Sequence, residues 1–289
     1  MQRMSEKLNW AHRIDAGVVL CKDGSMIAGW DMIGIDPEGA EETVLEAHAQ
    51  QMARAMMTGV EGITFWTIFA RKNYRGEQAK FLDSERLPPA VNYLEHEQHL
   101  LLTAPGVAFE NSIKLFMSWH PAKHDKNIER DLQDFKQHCD TLEARLGHVV
   151  DLTRLKTVTH HQHEGSSFQQ DALVSALSEL THGAPMKLRQ SDATRGMYLD
   201  SLLAPEYRQC SFLSEAYIND RPVSLISIVG YPQEYETAAV GVLEQLGFEY
   251  HWVSRFTPLN QAQTDAAIDT QKRNWKRAQG GDKKSSHGA

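Results

Sequence analysis

Ile128, Leu132, Phe135, Cys139, Leu142 and Leu146 recur at alternating steps of four and three. That period is met only by a helix with one narrow apolar stripe, and such a stripe is buried against a sheet or a second helix. Gly147 supplies the stop. Elsewhere the apolar residues follow a different rule. Residues 62–70 hold Ile63, Thr64, Phe65, Trp66, Thr67, Ile68 and Phe69, a β-branched and aromatic run that reads as a buried strand. Residues 113–119 read as another strand, closed by Pro121. A chain that interleaves such segments is α+β, with helices packed on mixed or antiparallel sheets.

The remaining elements follow from the same signals. Residues 17–35 predict a β-hairpin turning at Lys22-Asp23-Gly24-Ser25, because Asp-Gly supplies the positive φ of a tight turn. Residues 41–57 predict a helix with Leu45, His48, Met52, Ala55 and Met56 on one face. Residues 71–86 read as a polar loop. Pro88-Pro89 opens a helix with Val91, Leu94, Leu101 and Leu102 on one side, ended by Pro105-Gly106. Residues 153–159 predict a short strand. Residues 168–180 predict a helix capped by Ser166 or Ser167 and stopped by Gly183. A second hairpin is expected over residues 212–230, turning at Asn219-Asp220 with an apolar return strand over 223–229. A helix over 234–246 and a strand over 248–256 follow it. Residues 265–277 predict a weakly amphipathic basic helix, and residues 280–289 a disordered tail. The order hairpin, helix, strand occurs at 17–70 and again at 212–256, a weak internal repeat. The expected division is an N-terminal α+β half (1–150), a second α+β half (151–264) and a basic helix with tail (265–289).

Composition excludes several classes. A net charge of −8 and a pI of about 6.0 disfavour a dedicated nucleic-acid binder, whose affinity rests on phosphate neutralisation. Cys21, Cys139 and Cys210 form no C-x-x-C pair, so neither a zinc ribbon nor a disulfide framework is suggested, and reduced thiols in a cytoplasmic protein are expected. Residues 1–15 lack a signal-peptide core, and no stretch has the apolar length of a membrane span. No glycine is followed by a lysine, so the sequence carries no phosphate-binding P-loop.

Several segments resemble one family when taken in order. They are Asp15-Ala16-Gly17-Val18-Val19-Leu20 with Lys22-Asp23-Gly24-Ser25, and Phe109-Glu110-Asn111 before a strand. Next comes Met197-Tyr198-Leu199-Asp200-Ser201-Leu202-Leu203, then a hairpin ending Ile226-Ser227-Ile228-Val229-Gly230-Tyr231-Pro232. Glu249-Tyr250-His251-Trp252-Val253-Ser254-Arg255-Phe256 and Arg273-Asn274-Trp275-Lys276 complete the set. Together they resemble the N-terminal domain of the CagE/TrbE/VirB family of conjugative-transfer ATPases, TrbE type, over residues 8–277. The resemblance implies an energising component of a type IV secretion system. It also implies an α+β domain that docks on the inner-membrane apparatus and on neighbouring subunits, ahead of a RecA-like motor. ATP and Mg²⁺ are implied only for a full-length member.

Candidate chemistry is sparse. His148, His160, His161 and His163 are dense enough to bind zinc, but His160, His161 and His163 sit in an expected polar connector with no H-E-x-x-H helix. His96, Glu97 and His99 fall one residue short of that spacing, and a polar helix face is the plainer reading. There is no G-x-S-x-G elbow. Arg71, Lys72, Tyr74 and Arg75 form a basic-aromatic cluster for a nucleic acid or headgroup, against the alternative of a solvated loop. Lys272, Arg273, Trp275 and Lys276 are a better partner-contact candidate, or a linker toward a motor. Trp66, Trp119 and Trp252 are expected in the core and Trp275 on the surface. The expected function is a non-catalytic assembly module of a conjugative type IV secretion ATPase, without cofactor or catalytic residues of its own. It is expected to be cytoplasmic and peripheral to the bacterial inner membrane, with secretion components and copies of itself as partners. The alternatives are a small metal-dependent hydrolase on the histidine segment and a single-stranded DNA-binding module on residues 71–75.

Overall fold

The computed structural model describes residues 4–35, 39–57, 60–74, 88–121, 127–161, 167–183, 186, 188, 198–209, 216–219, 221–226, 243 and 246–282. At residues 89, 160–161, 167–168, 208–209 and 277–282 only the backbone is described. In chain order the elements are α1 (Met4–Lys7), β1 (Trp10–Asp15), β2 (Val18–Cys21), β3 (Met26–Ile33), α2 (Glu42–Met56) and β4 (Ile63–Asn73). Then follow α3 (Pro89–Thr103), β5 (Phe109–Trp119), α4 (Ile128–Leu146), β6 (Asp151–Arg154), β7 (Thr157–His161), β8 (Ser167–Asp171) and α5 (Ala172–His182). The last are α6 (Leu199–Leu202), β9 (Tyr207–Gln209), β10 (Ala216–Ile218), β11 (Arg221–Val223), β12 (Tyr250–Phe256) and α7 (Gln261–Asp282).

The α+β expectation holds. Seven strands form one antiparallel sheet in the order β1-β2-β3-β5-β4-β12, with β6 beside the second half of β3. Within it, β3 and β4 both run antiparallel to β5, and β6 runs antiparallel to β3. The path β3-α2-β4-β5-α4-β6 is therefore two interlocked βαβ crossovers with strand order β6-β3-β5-β4. That is the split βαβ, or ferredoxin-like, arrangement.

Strand alternation explains the two cores. Met26, Ala28, Trp30 and Met32 of β3 share one face with Ile63 and Phe65 of β4 and with Leu115, Met117 and Trp119 of β5. The stripe of α4 closes over them: Phe135, Cys139, Leu142 and Leu146 are fully buried, and Met52, Ala55 and Met56 of α2 join from the side. Each such aliphatic or aromatic side chain contributes about 1.5–3 kcal/mol by leaving water. Burial also drives the Cys139 thiol pKa up to about 12 and that of Cys21 to about 11, so both stay protonated. On the opposite face Val19, Ile68, Phe116 and Leu155 pack against Leu173, Val174, Ala176 and Leu177 of α5 and Leu199 and Leu203 around α6.

Two buried polar groups tie helices to the sheet. Trp30 Nε1 donates to Glu143 Oε1 of α4 at 2.7 Å, and the Arg154 guanidinium lies over the Trp30 ring at 5.8 Å. Arg154 also donates to Asp140 at 3.0 Å. Asp171 caps α5 by accepting from Val174 N at 3.0 Å, and its other oxygen accepts from Arg13 of β1 at 3.3 Å.

The structure departs from the expected elements at several places. Arg71 and Lys72 lie inside β4, not in a loop, because the β4–β5 ladder runs unbroken to Asn73↔Phe109. Residues 168–171 are strand, not helix. They pair with β7, and the cap of α5 is Asp171 in place of Ser166 or Ser167. Gly183 does end that helix. Residues 153–159 divide into the ends of two strands in different sheets. The hairpin at Asn219 forms between β10 and β11, with Asn219 at φ 48°, but its return strand stops at Val223. The expected helix over 234–246 falls almost entirely outside the described residues, and so does the comparison of the two halves of the repeat. The helix α7 continues to Asp282, so residues 280–282 are not tail. Trp119 is buried as expected, Trp66 and Trp252 are only half-buried, and Trp30 is wholly enclosed. Backbone pairing also crosses the expected boundary at 150/151: β6 joins β3, and β12 joins β4 over Phe65–Arg71.

Two ion pairs brace the outer layers, and they set an acid limit on stability. Lys22 lies 2.6 Å from Asp200 of α6, and Lys136 of α4 pairs with Asp15 at the end of β1. In each case the hydrogen bond from the lysine lowers the carboxyl pKa below its usual value. A lowered folded-state pKa means stability that is complete above the unfolded-state carboxylate range and lost as pH falls through the folded-state value. Thermal melts are therefore expected to hold steady down to about pH 5 and to drop progressively toward pH 3. Lys22→Met is expected to flatten part of that drop.

Candidate interaction surface

The sheet end where β4, β5 and β12 meet carries the first cluster singled out in the sequence. Strand alternation splits it. Arg71 points to one face, where its guanidinium sits 4.1 Å from the Phe109 ring centre and Nη1 reaches Asn111 Oδ1 at 3.5 Å. Arg71 Nε is buried there without a hydrogen-bond partner. Lys72 points to the other face and pairs with Glu179 of α5. Tyr74 follows the strand, its N–H donating to Ala108 O at 2.9 Å. Arg75 lies outside the described residues. A single basic-aromatic face is thus not formed by Arg71 and Lys72. Each is held by the fold: Arg71 by a stacked ring and Lys72 by a carboxylate.

Beyond Asn73 the two strands part, and α3 occupies the connection. Asn73 organises the parting: its N–H donates to Glu249 Oε1 at 2.9 Å, and its Oδ1 accepts from Gly106 N at 2.8 Å. Asn73, Tyr74, Thr103, Pro105, Arg221 and Glu249 line an open cleft of about 660 Å³. Its lining mixes one cation, Arg221, and one carboxylate, Glu249, with neutral groups.

Two helices stand off from the sandwich. Among the described residues α3 shares no extensive packing with another element, and the same is true of α7. The apolar side of α3 is open: Val91, Leu94, Leu101 and Leu102 are all exposed, Leu94 to 66%. On α7, Lys272, Arg273, Trp275 and Lys276 are exposed as expected, Trp275 to 71%. The anchoring of α7 is slight, with Gln263 Nε2 reaching Glu61 Oε1 at 3.5 Å.

Among the described residues the candidate histidines belong to separate elements. His160 and His161 lie in β7, opposite Phe168 and Ser167 of β8, and not in a connector; His163 lies outside the described residues. His148 is exposed after α4, and His96 and His99 belong to α3. Among the described residues no group of three or more His, Cys, Asp or Glu is arranged to hold a metal ion. No helix among them is long and apolar enough to cross a membrane.

The sequence reading missed the Arg71–Phe109 stack, the β12–β4 pairing and the isolation of α3. The first two join residues far apart in the chain, for which local spacing holds no signal. The third had one: α3 combines Val91, Leu94, Leu101 and Leu102 with Tyr93 and Leu100 on its other side, too many apolar groups for one buried stripe.

A conjugal transfer protein TrbE from Rhizobium radiobacter is 22% identical over 297 residues, an alignment covering 92% of this chain and 34% of the relative. The chain thus spans about a third of that relative's length. The family model described as type IV secretion system ATPase VirB4/TrbE, N-terminal domain, matches residues 17–127, which run from the turn before β2 through β5. Over residues 17–127 the chain is therefore similar to the N-terminal domain of the VirB4/TrbE type IV secretion system ATPases.

Proposed function

We propose that this chain is a docking domain that does no chemistry of its own. It positions a type IV secretion ATPase against other secretion components and against neighbouring subunits. The observation that carries this reading is the pair of helices, α3 and α7, held away from an otherwise well-packed sandwich with apolar side chains outward. Exposed apolar surface of this kind marks interaction sites in soluble proteins. The split βαβ unit supplies the rigid base. Its two buried cores fix the β4–β5 arm, and the arm fixes where α3 is presented.

In this reading the module works in the cytoplasm, at the inner membrane, and is held there by protein partners. No cofactor is assigned to it, and ATP with Mg²⁺ is reserved for a motor domain of a full-length family member. The 289-residue chain, immobilised and exposed to detergent extracts containing the secretion apparatus, is expected to retain inner-membrane components of that apparatus. Retention is expected to fall when Leu94 and Leu101 are replaced together by Ser. Equal retention by the chain and an unrelated acidic protein would overturn the proposal.

A further inference from the structure

α3 and the segment 270–281 of α7 are complementary in charge, while Asp265 and Asp269 precede that segment in the first turns of α7. Residues 88–108, which contain α3, hold Glu95 and Glu97 and no Lys or Arg. Helical spacing gathers Val91, Leu94, Leu101 and Leu102 into one stripe, with Glu95 on one flank and Glu97 on the other. Residues 270–281 of α7 show the reverse. They hold Lys272, Arg273, Lys276 and Arg277 with no carboxylate, in a chain whose net charge is −8. The same spacing puts Trp275 in line with Ile268, two turns earlier, with Lys272 and Lys276 beside them. Ile268 and Trp275 are both exposed.

Neither helix explains itself alone. A helix of 15 residues is marginal in water without a packed face, and α3 leaves its face open among the described residues. α7 is almost wholly exposed along its described side chains. An acidic-edged leucine stripe and a basic-edged tryptophan stripe satisfy each other: Trp275 and Ile268 take the apolar seam, and the lysines reach Glu95 or Glu97 at its rim.

From this we propose that α7 of one copy docks along α3 of a second copy, so that the chain self-associates head to tail. The proposal deepens the docking reading by naming one occupant of α3. Such a contact uses different surfaces on the two partners. It therefore leaves a free α3 at one end and a free α7 at the other, and it propagates to a ring or an open chain of copies.

The test is the mass of the 289-residue chain by sedimentation velocity or light scattering, across a concentration series and at two salt concentrations. The wild type is expected to shift from monomer to larger species with concentration, and less so at 0.5 M salt. Glu95→Lys with Glu97→Lys, and separately Lys272→Glu with Lys276→Glu, are each expected to weaken association by tenfold or more. An equimolar mixture of the two charge-reversed variants is expected to restore it as mixed pairs, which neither misfolding nor general charge effects would do. A monomer at every concentration overturns the proposal, as does association that neither reversal changes. So does a rescue mixture that stays monomeric while both variants keep the wild-type circular dichroism spectrum and melting temperature. Binding of the wild type to anionic vesicles or to oligonucleotides, with no self-association, would assign α7 elsewhere and overturn it too. Retention of secretion components by a strictly monomeric chain would leave the docking function standing and remove this inference alone.

Discussion

Trp30→Ala is expected to destabilise the chain by about 3–5 kcal/mol, the range for deleting a fully enclosed large aromatic side chain. Trp30 is wholly buried in the middle of β3, between the β5 and β6 pairings, beneath the α4 stripe. Its removal opens a cavity at the junction of the two βαβ crossovers. It also takes the 2.7 Å donor from Glu143 and the ring from under Arg154, whose side chain is 9% exposed. Glu143 is 34% exposed and lies 3.6 Å from Arg154, so the lost hydrogen bond itself accounts for only about 0.5–1.5 kcal/mol of that. Trp30→Phe separates the two effects. It keeps most of the apolar volume and loses the hydrogen bond, so its cost is expected at about 1–3 kcal/mol. Urea unfolding followed by circular dichroism measures both. If the alanine variant unfolds within 1 M urea of wild type, Trp30 does not anchor the sandwich.

Gly62→Ala is expected to cost about 3 kcal/mol or more, although it adds a single methyl group to a loop. Gly62 has φ 84°, a region that L side chains avoid, and a Cβ built there would lie 2.2 Å from the backbone oxygen of His120. The close approach is structural. His120 N donates to Gly62 O at 3.0 Å, which fastens the entry of β4 to the exit of β5. A clash with backbone is not relieved by a side-chain rotation, so the ladder itself must shift. Gly39→Ala is the control. Its φ is 82°, yet nothing lies within 4 Å of the added carbon. Only the torsional cost applies there, about 1–2 kcal/mol. Melting temperatures of the two variants are expected to differ clearly, with Gly62→Ala the lower. Equal losses would mean that torsion alone accounts for Gly62.

Both positions bear on docking. Trp30 and Gly62 fix the base from which the β4–β5 arm extends, and the arm carries α3. Variants at these sites are expected to lose stability and partner retention together. The Leu94→Ser/Leu101→Ser and charge-reversal variants change surfaces that carry no part of the described cores, and they are expected to lose association while melting near the wild-type temperature.

The chain by itself determined its elements wherever one period ruled a long segment. The α4 stripe and the α2 face each bury one side, the run of β4 buries both, and the Asp23-Gly24 turn sets a hairpin; each requirement is written into residues a few positions apart. The class followed, as did the family resemblance that the comparison bears out. Tertiary structure alone decided how those elements close: β12 on β4, β6 beside β3, and Asp171 joined to Arg13 across 158 positions. These are choices among partners far apart in the chain, and local periodicity is the same for every choice. The same physics divided the Arg71–Lys72 pair. Adjacent cations look like one patch in a sequence, but a strand sends successive side chains to opposite faces, and here one meets Phe109 and the other Glu179. For α3 the sequence carried half of the answer: Tyr93 and Leu100 opposite the Val91–Leu102 stripe signal more apolar surface than one packed face can bury, but which surface covers it is not written in local spacing.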